Sequence, residues 1–545
     1  MTIFKGQVFN CLKAFAQRLL AGIAVIGIVS GTPQTLAQLP HDQTNLDALT
    51  RIKDEELKRS QVMEMVGYLT DVIGPRLTGS PNLRKAQEYA LTRTRSWGLS
   101  NSHLEAWGPF GRGWTLESFT ANVVSPAFSS LIAYPKAWSP DTNGTLRGEV
   151  VFLDVQTPAD LAKYKGKLGG KIVLFGPVRT VDPNFSPLAT RTSDEELLKL
   201  QNAKPKADEQ RFQMSPVVRA RLDLNYQKWQ LLYDEDAAVV IEPGAGDGGV
   251  VYVTRALIPS PVDTPSEQRK QPWGLDKPKV IPQLVVSAEQ YNRIVRVVDR
   301  GIPVQLEVNI KARFYDQDPM SYNVIAEIPG TDLKDEIVMV GGCLDSWHTG
   351  TGAADNAAGA AVVMEIARLL KTLNLQPRRT IRIALWSAEE QGALGSKAYV
   401  AAHFATRESG PNLRLELKRE AEKFSGYFNL DYGTGKIRGV YLQGNEAVKP
   451  IFGDWLAPLK DLGAATLTIE GVGATDHNSF DAVGLPGFQF IRDYMETNTR
   501  TAHTNMDVYD HVLEDDLKQS AIVATWFVYQ AAMRDGKLPR KVLKQ

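Results

Sequence analysis

Apolar positions near the start of the chain recur at three- and four-residue steps, through Glu56-Leu57, Val62, Met65-Val66 and Leu69. That spacing lays one apolar stripe along a helix of 3.6 residues per turn, so the segment reads as helical. Gly74-Pro75-Arg76-Leu77-Thr78-Gly79-Ser80 breaks the stripe and reads as a Gly/Pro turn. A second helix, rich in Ala, Leu and Arg, follows it up to Trp97-Gly98. From about residue 128 to 308 the apolar runs shorten to β-like segments such as Glu149–Leu153, Lys171–Phe175 and Ala237–Ile241. Gly, Pro and Asp punctuate them. A charged stretch over Ser193–Arg211 reads as a solvated helix or loop. After Ser321 buried strands alternate with amphipathic helices, and no internal repeat at a fixed period is visible. The pattern predicts an α/β fold with a mostly parallel mixed sheet flanked by helices, and a β-rich unit inserted into it.

The strands of that last region end in chemistry. Glu336–Gly341 reads as a buried strand with Cys343 and Asp345 just past it. Ile381–Trp386 is followed by Glu389-Glu390, and Phe424–Leu430 by Asp431. Asp355-Asn356 precedes a helix running through Val362, Ile366 and Leu369-Leu370. Open α/β sheets bind ligands beyond the carboxyl ends of their strands, so acids gathered there point to a shared task. With His503 downstream, carboxylates, an imidazole and a thiol make a donor set suited to zinc with an open position for water. Two adjacent glutamates cannot easily point the same way. One would bind metal while the other takes a proton from water, and Asp355 would bridge two ions. Each residue alone has a plainer reading: Glu389-Glu390 a solvated helix start, Cys343 a buried structural thiol, Asp431 a turn residue, His503 a cap. His477, Tyr494 and Arg492 are weaker candidates for contacting substrate, and His348 is a possible substitute ligand.

Composition narrows the setting. At 545 residues, with 43% hydrophobic and 23% charged side chains, the chain is long enough for two or three packed domains. The formal net charge of +0 gives no reason to expect nucleic acid or an anionic membrane as partner. Lys5, Lys13 and Arg18 lead into an apolar run at Leu19–Val29, and Thr35-Leu36-Ala37 offers a small-residue cleavage site. Residues 1–37 therefore read as a signal peptide, with an uncleaved anchor as the alternative. The run is short of the roughly 20 residues that span a bilayer. Cleavage would leave 59 basic against 62 acidic side chains and Cys343 as the lone cysteine. A secreted or periplasmic location follows from this reading, without an intramolecular disulfide.

Three signatures, GGCLDSW…GAADNAAG, WSAEEQGALGS and HTNMDVYD, together resemble the co-catalytic di-zinc aminopeptidases that include carboxypeptidase Q. The resemblance extends over most of the chain. It implies a peptidase domain split by a protease-associated (PA-like) insert, with residues 38–127 and 309–545 forming the peptidase and 128–308 the insert. It also implies roles. Asp355 would bridge two zinc ions, Glu390 and His503 would hold one, and Asp431 and Cys343 the other. Glu389 would be the general base, and Asp345 would steady the first ligand. The family tends to carry a cis peptide after the bridging aspartate, here Asp355–Asn356. Its histidine is replaced by Cys343. Thiolate binds zinc well, at about 2.3 Å, but it adds negative charge and leaves Asp345 without an imidazole N–H to accept from.

These features lead to a secreted zinc exopeptidase, an aminopeptidase or dipeptidase acting on short peptides, with two zinc ions expected and one possible. Peptides are the expected partners, and a homodimer is left open. Two other readings stand beside it: a non-catalytic or impaired relative acting as a binding protein, because of Cys343, and a single-zinc glutaminyl cyclase.

Overall fold

Alternation along the central strand shows how the sheet is held. In Leu333–Cys343, Val338 and Val340 enter one core cluster with the helix Ala358–Thr372, while Ile337 and Met339 enter another with Tyr399, Phe404 and Phe480. Both faces are therefore dry, as a parallel sheet requires. Burying each such aliphatic side chain contributes roughly 1.5–3 kcal/mol. The computed structural model describes residues 45–205, 214–407 and 415–541. The segment read as a signal peptide lies outside them.

Eight strands form this sheet, in the order Ser100–Trp107, Ser321–Ile328, Arg379–Trp386, Leu333–Cys343, Phe424–Asn429, Gly487–Arg492, Ile437–Tyr441 and Thr466–Thr468. The four middle strands run parallel, so their carboxyl ends share one edge. Ser321–Ile328 and Ser100–Trp107 extend one side in antiparallel fashion, and Ile437–Tyr441 is antiparallel to Gly487–Arg492 on the other. The buried helix Ala358–Thr372 packs with Glu514–Met533 on one face. The expected mixed α/β sheet with flanking helices is what forms.

A second eight-stranded sheet is built entirely between Gly113 and Tyr315. Four of its strands, Leu146–Leu153, Ile172–Phe175, Val239–Pro243 and Gln283–Val286, are parallel. The long antiparallel pair Gly113–Ser125 and Gln305–Tyr315 carries the chain into and out of this unit. These two strands flank the region 128–308 on either side. The charged stretch contains the helix Asp194–Gln201, in which only Leu197 is buried.

Gly359 sets how closely the Ala358–Thr372 helix meets the sheet. A Cβ there would lie 2.2 Å from Asn356 Oδ1 and 2.3 Å from the Leu430 carbonyl. Neither group can withdraw, since Asn356 Nδ2 donates to that same carbonyl at 2.9 Å. Gly359→Ala should therefore lower the unfolding free energy by about 2–3 kcal/mol. Gly453→Ala, in the helix Lys449–Leu456 with nothing within 4 Å of the new carbon, should be neutral or raise it slightly. Paired denaturant titrations check this; equal effects at both positions would contradict the packing argument.

Candidate metal centre

Parallel strands deliver the functional side chains to one edge. Cys343 closes its strand, Glu389 and Glu390 lie just past Arg379–Trp386, and Asp431 just past Phe424–Asn429. Two groups result, Cys343 with Glu389 and Asp431, and Asp355 with Glu390 and His503. Within each, one donor atom per residue lies within 4.8 Å of the others. His503 Nε2 stands 3.1 Å from both Asp355 Oδ2 and Glu390 Oε2. The Cys343 thiol donates to Asp431 Oδ1 at 3.6 Å and its sulfur accepts from Asn356 Nδ2 at 3.3 Å. The Asp355–Asn356 peptide is cis.

A layer of polar contacts fixes these groups. Asp345 accepts hydrogen bonds from the backbone N–H of Glu389 (3.2 Å) and of Glu390 (3.3 Å), and from the Thr78 hydroxyl (3.0 Å). Thr78 Oγ1 in turn accepts from Ala388 N at 3.1 Å. Asp345 was expected to steady the first ligand; its hydrogen bonds instead go to the backbone of the glutamate pair. Asp507 does the same for the other ligand loop, accepting from Ala354 N (2.5 Å) and Asp355 N (3.2 Å). Arg76 is fully buried and donates to the carbonyls of Leu69, Gly74, Leu344, Thr351 and Gly352. It thereby ties the turn at residues 74–80 to the loop between Cys343 and Asp355. Tyr252 OH meets His503 Nδ1 at 3.0 Å, and Val253 N donates to the His503 carbonyl at 2.9 Å. Ala388, Tyr432, Ala474 and His503 all adopt left-handed backbone conformations, a strain that surrounding contacts must hold.

Charge is the dominant feature. Burial first, then the neighbouring carboxylates Asp431, Asp476 and Glu390, push the Glu389 carboxyl well above its ordinary range. Burial and Asp355 raise Glu390 to about 8, and Asp431 to about 6. Burial raises Asp345 to about 7 and, with Asp355 next, Asp507 to about 8. The Cys343 thiol is pushed up by burial and by Asp431 and Glu389. His503 is raised against its own burial by Glu390 and Asp355. Glu390 Oε1 is buried with no partner, as are both oxygens of Asp476. Clustered carboxylates with an orphaned oxygen on Glu390 and a converging imidazole and thiol suit a divalent cation of the zinc type.

A cavity of about 530 Å³ opens on this edge, lined among others by Asp355, Glu389, Glu390, Asp431, Arg492 and Tyr494. His477, considered as a substrate contact, is buried with its Nε2 donating to the Val472 carbonyl at 2.9 Å. His348, considered as a substitute ligand, donates instead to the Pro135 carbonyl at 2.7 Å and stacks edgewise on Trp114. Five contributors escaped sequence reading: Arg76, Thr78, Tyr252, Asp476 and Asp507. Asp476 sits one residue before His477 and faces the Cys343 group electrostatically. A carboxylate inside the motif GATDHNSF was the available signal.

Residues 323–528 match peptidase family M28. Over 481 residues the chain is 27% identical to carboxypeptidase Q of Mus musculus, covering 88% of this chain and 87% of that protein. Leupeptin-inactivating enzyme 1 of Streptomyces exfoliatus is 34% identical over 188 residues, 34% of this chain and 39% of that one. Among solved structures, a peptidase M28 precursor from Shewanella amazonensis superposes with a TM-score of 0.65 at 23% identity, covering 92% of this chain and 100% of the other. A zinc aminopeptidase from Bacillus subtilis gives 0.52 at 20% identity, covering 87% and 95%.

Raised carboxyl groups have a measurable consequence in metal-free protein. A carboxyl whose folded value lies above its unfolded one keeps its proton longer in the folded state. Stability then falls as pH rises from the ordinary value of 4.5 toward the folded value near 8 of Glu390. His503, raised as well, acts in the same direction above its ordinary value of 6.5. Chelated protein should lose on the order of 3 kcal/mol between about pH 5 and pH 8. Added zinc should restore most of it. Thermal melts across that range check the expectation, and a flat or rising profile would contradict it.

Proposed function

We propose that the chain, whose residues 323–528 match peptidase family M28 and which is similar to carboxypeptidase Q over most of its length, is a secreted zinc exopeptidase acting at the N-terminal bond of short peptides. The observation that carries the reading is the pair of three-residue donor groups at the carboxyl edge of the sheet, facing one cavity with Glu389 in its lining. In this reading Asp355, Glu390 and His503 would hold one zinc ion, and Cys343 and Asp431 would contribute to holding a second.

Zinc supplies Lewis acidity that polarises the scissile carbonyl and eases deprotonation of water. The protein supplies the rest. Glu389, buried among carboxylates and raised in proton affinity, takes a proton from the attacking water and passes it to the departing amine. Asp345 and Thr78 hold the Ala388–Glu390 backbone, so the base and the adjacent ligand diverge from one fixed point. Tyr252 sets the ring of His503 through Nδ1, leaving Nε2 toward Asp355 and Glu390. Tyr494 lines the cavity where the substrate would lie. The unit between Gly113 and Tyr315 is proposed as the PA-like insert.

Zinc content and turnover on dipeptides and aminoacyl amides test this together. The wild-type protein should hold about two zinc ions with chelator-sensitive turnover. Glu389→Gln should keep its zinc and lose turnover by about 10³-fold or more. Cys343→Ser should fall toward about one zinc ion, since a hydroxyl replaces the thiolate donor. Turnover retained in Glu389→Gln, or zinc unchanged in Cys343→Ser, would refute the assigned roles.

A further inference from the structure

Two arginines are buried at this edge of the protein, and only one is satisfied. Arg76 spends its guanidinium on five backbone carbonyls. Arg492, the last residue of the strand Gly487–Arg492, is 3% exposed, and its Nη1 and Nη2 are buried without a hydrogen-bond partner among the described residues. Only its Nε has a contact, a long one of 3.4 Å to the Gly435 carbonyl.

Three acids act on it through their charge. Asp431 makes no hydrogen bond to it and accepts instead from the Thr475 hydroxyl, the Tyr432 N–H and the Cys343 thiol; the other two are held by other cations. Asp493 accepts from Arg191 Nη1 (3.1 Å), Thr192 N (3.0 Å) and Arg438 Nη1 (3.3 Å). Asp516 accepts from Arg191 at 2.8 and 3.2 Å. A guanidinium shut away from water with two free nitrogens is costly unless something pairs with it. Its position suggests what does. Arg492 lines the catalytic cavity and also a neighbouring cavity of about 560 Å³, and Tyr441 and Tyr494 line both. The free pair of nitrogens matches the two oxygens of one carboxylate in a planar, bidentate pairing.

We propose that Arg492 is a specificity determinant that binds a carboxylate carried by the peptide substrate, anchoring the peptide along the cavity that holds Glu389. The inference rests on the exopeptidase reading of that cavity. The carboxylate is the peptide's own C-terminus or an acidic side chain, a distinction that substrates can make.

Three peptides separate the cases: leucyl-alanine, its C-terminal amide, and leucyl-glutamic acid α-amide, which keeps only the side-chain carboxylate. With zinc-loaded wild-type protein, one carboxylate-bearing peptide should show a KM about tenfold or more below that of the neutral amide. Preference for leucyl-alanine assigns the terminus; preference for the glutamic α-amide assigns the side chain. Arg492→Met should raise KM for the preferred peptide by about 10- to 100-fold, with far smaller change in kcat and in the neutral amide. Arg492→Lys should recover part of the preference. Equal losses on all three peptides would mean Arg492 only supports the fold, and absence of preference in the wild type would equally overturn the proposal. The same series run as binding titrations on zinc-loaded Glu389→Gln keeps the two readings apart. Carboxylate preference in binding, lost on adding Arg492→Met, would uphold the anchor even if no peptide is hydrolysed. Hydrolysis without preference would remove the anchor and leave the peptidase reading intact.

Discussion

Mutual repulsion of buried carboxylates is the constraint that this edge of the protein is built to withstand. Two like charges about 4 Å apart cost roughly 4 kcal/mol at an effective dielectric of about 20, and several such pairs meet around Glu389, Glu390, Asp355 and Asp431. The raised proton affinities of these groups express that cost. What keeps them together is covalent and directional: strand ends fix their origins, and backbone N–H groups aimed at Asp345 and Asp507 fix the loops between. Arg76 contributes a buried positive charge to the same region, with Asp507, Cys343, Asp345 and Asp355 all within its field. A cation arriving between the two donor groups would relieve the strain that the fold maintains.

The strands and their terminal acids were legible because burial on both faces leaves continuous apolar runs, and a charged residue just past such a run stands out. Glu336–Gly341, Ile381–Trp386 and Phe424–Leu430 fall on strands of the sheet for that reason. The supporting residues were hidden by distance and by chemistry. Arg76 and Thr78 lie about 270 residues before the groups they hold, inside a segment whose Gly and Pro identify only a turn. Their function is to hydrogen-bond, which has no periodicity to detect. His477 drew notice as an imidazole, yet burial and the Val472 carbonyl account for it, while Asp476 beside it faces the site. Arg492 ends a wholly buried strand, where an arginine shut away from water could not be inferred from pattern alone.

The inserted sheet takes part in the site through one short segment. Val251 N donates to Asn505 Oδ1 at 2.7 Å, Val253 N to the His503 carbonyl, and Tyr252 OH meets the His503 ring. A left-handed His503 on a loop without regular structure would otherwise have several conformations available. Contacts from a second sheet limit them to the one in which Nε2 faces Asp355 and Glu390. The unit between Gly113 and Tyr315 is therefore part of what positions His503.

Cys343 acts at a single point. The sequence resemblance implies that the residue at Asp345 steadies the first ligand, so exchanging imidazole for thiol would be expected to loosen the whole arrangement. Here Asp345 directs its oxygens to the backbone of Glu389 and Glu390 and to Thr78. The thiol finds its own partners in Asp431 and Asn356. The backbone of Glu389 and Glu390 is thus held by contacts that do not involve Cys343. What the exchange changes is charge: a thiolate adds one more negative group beside Asp431 and lowers the Lewis acidity of whatever cation it binds. It leaves the Asp355, Glu390 and His503 group, and the Glu389 carboxylate beside it, with the contacts that position them.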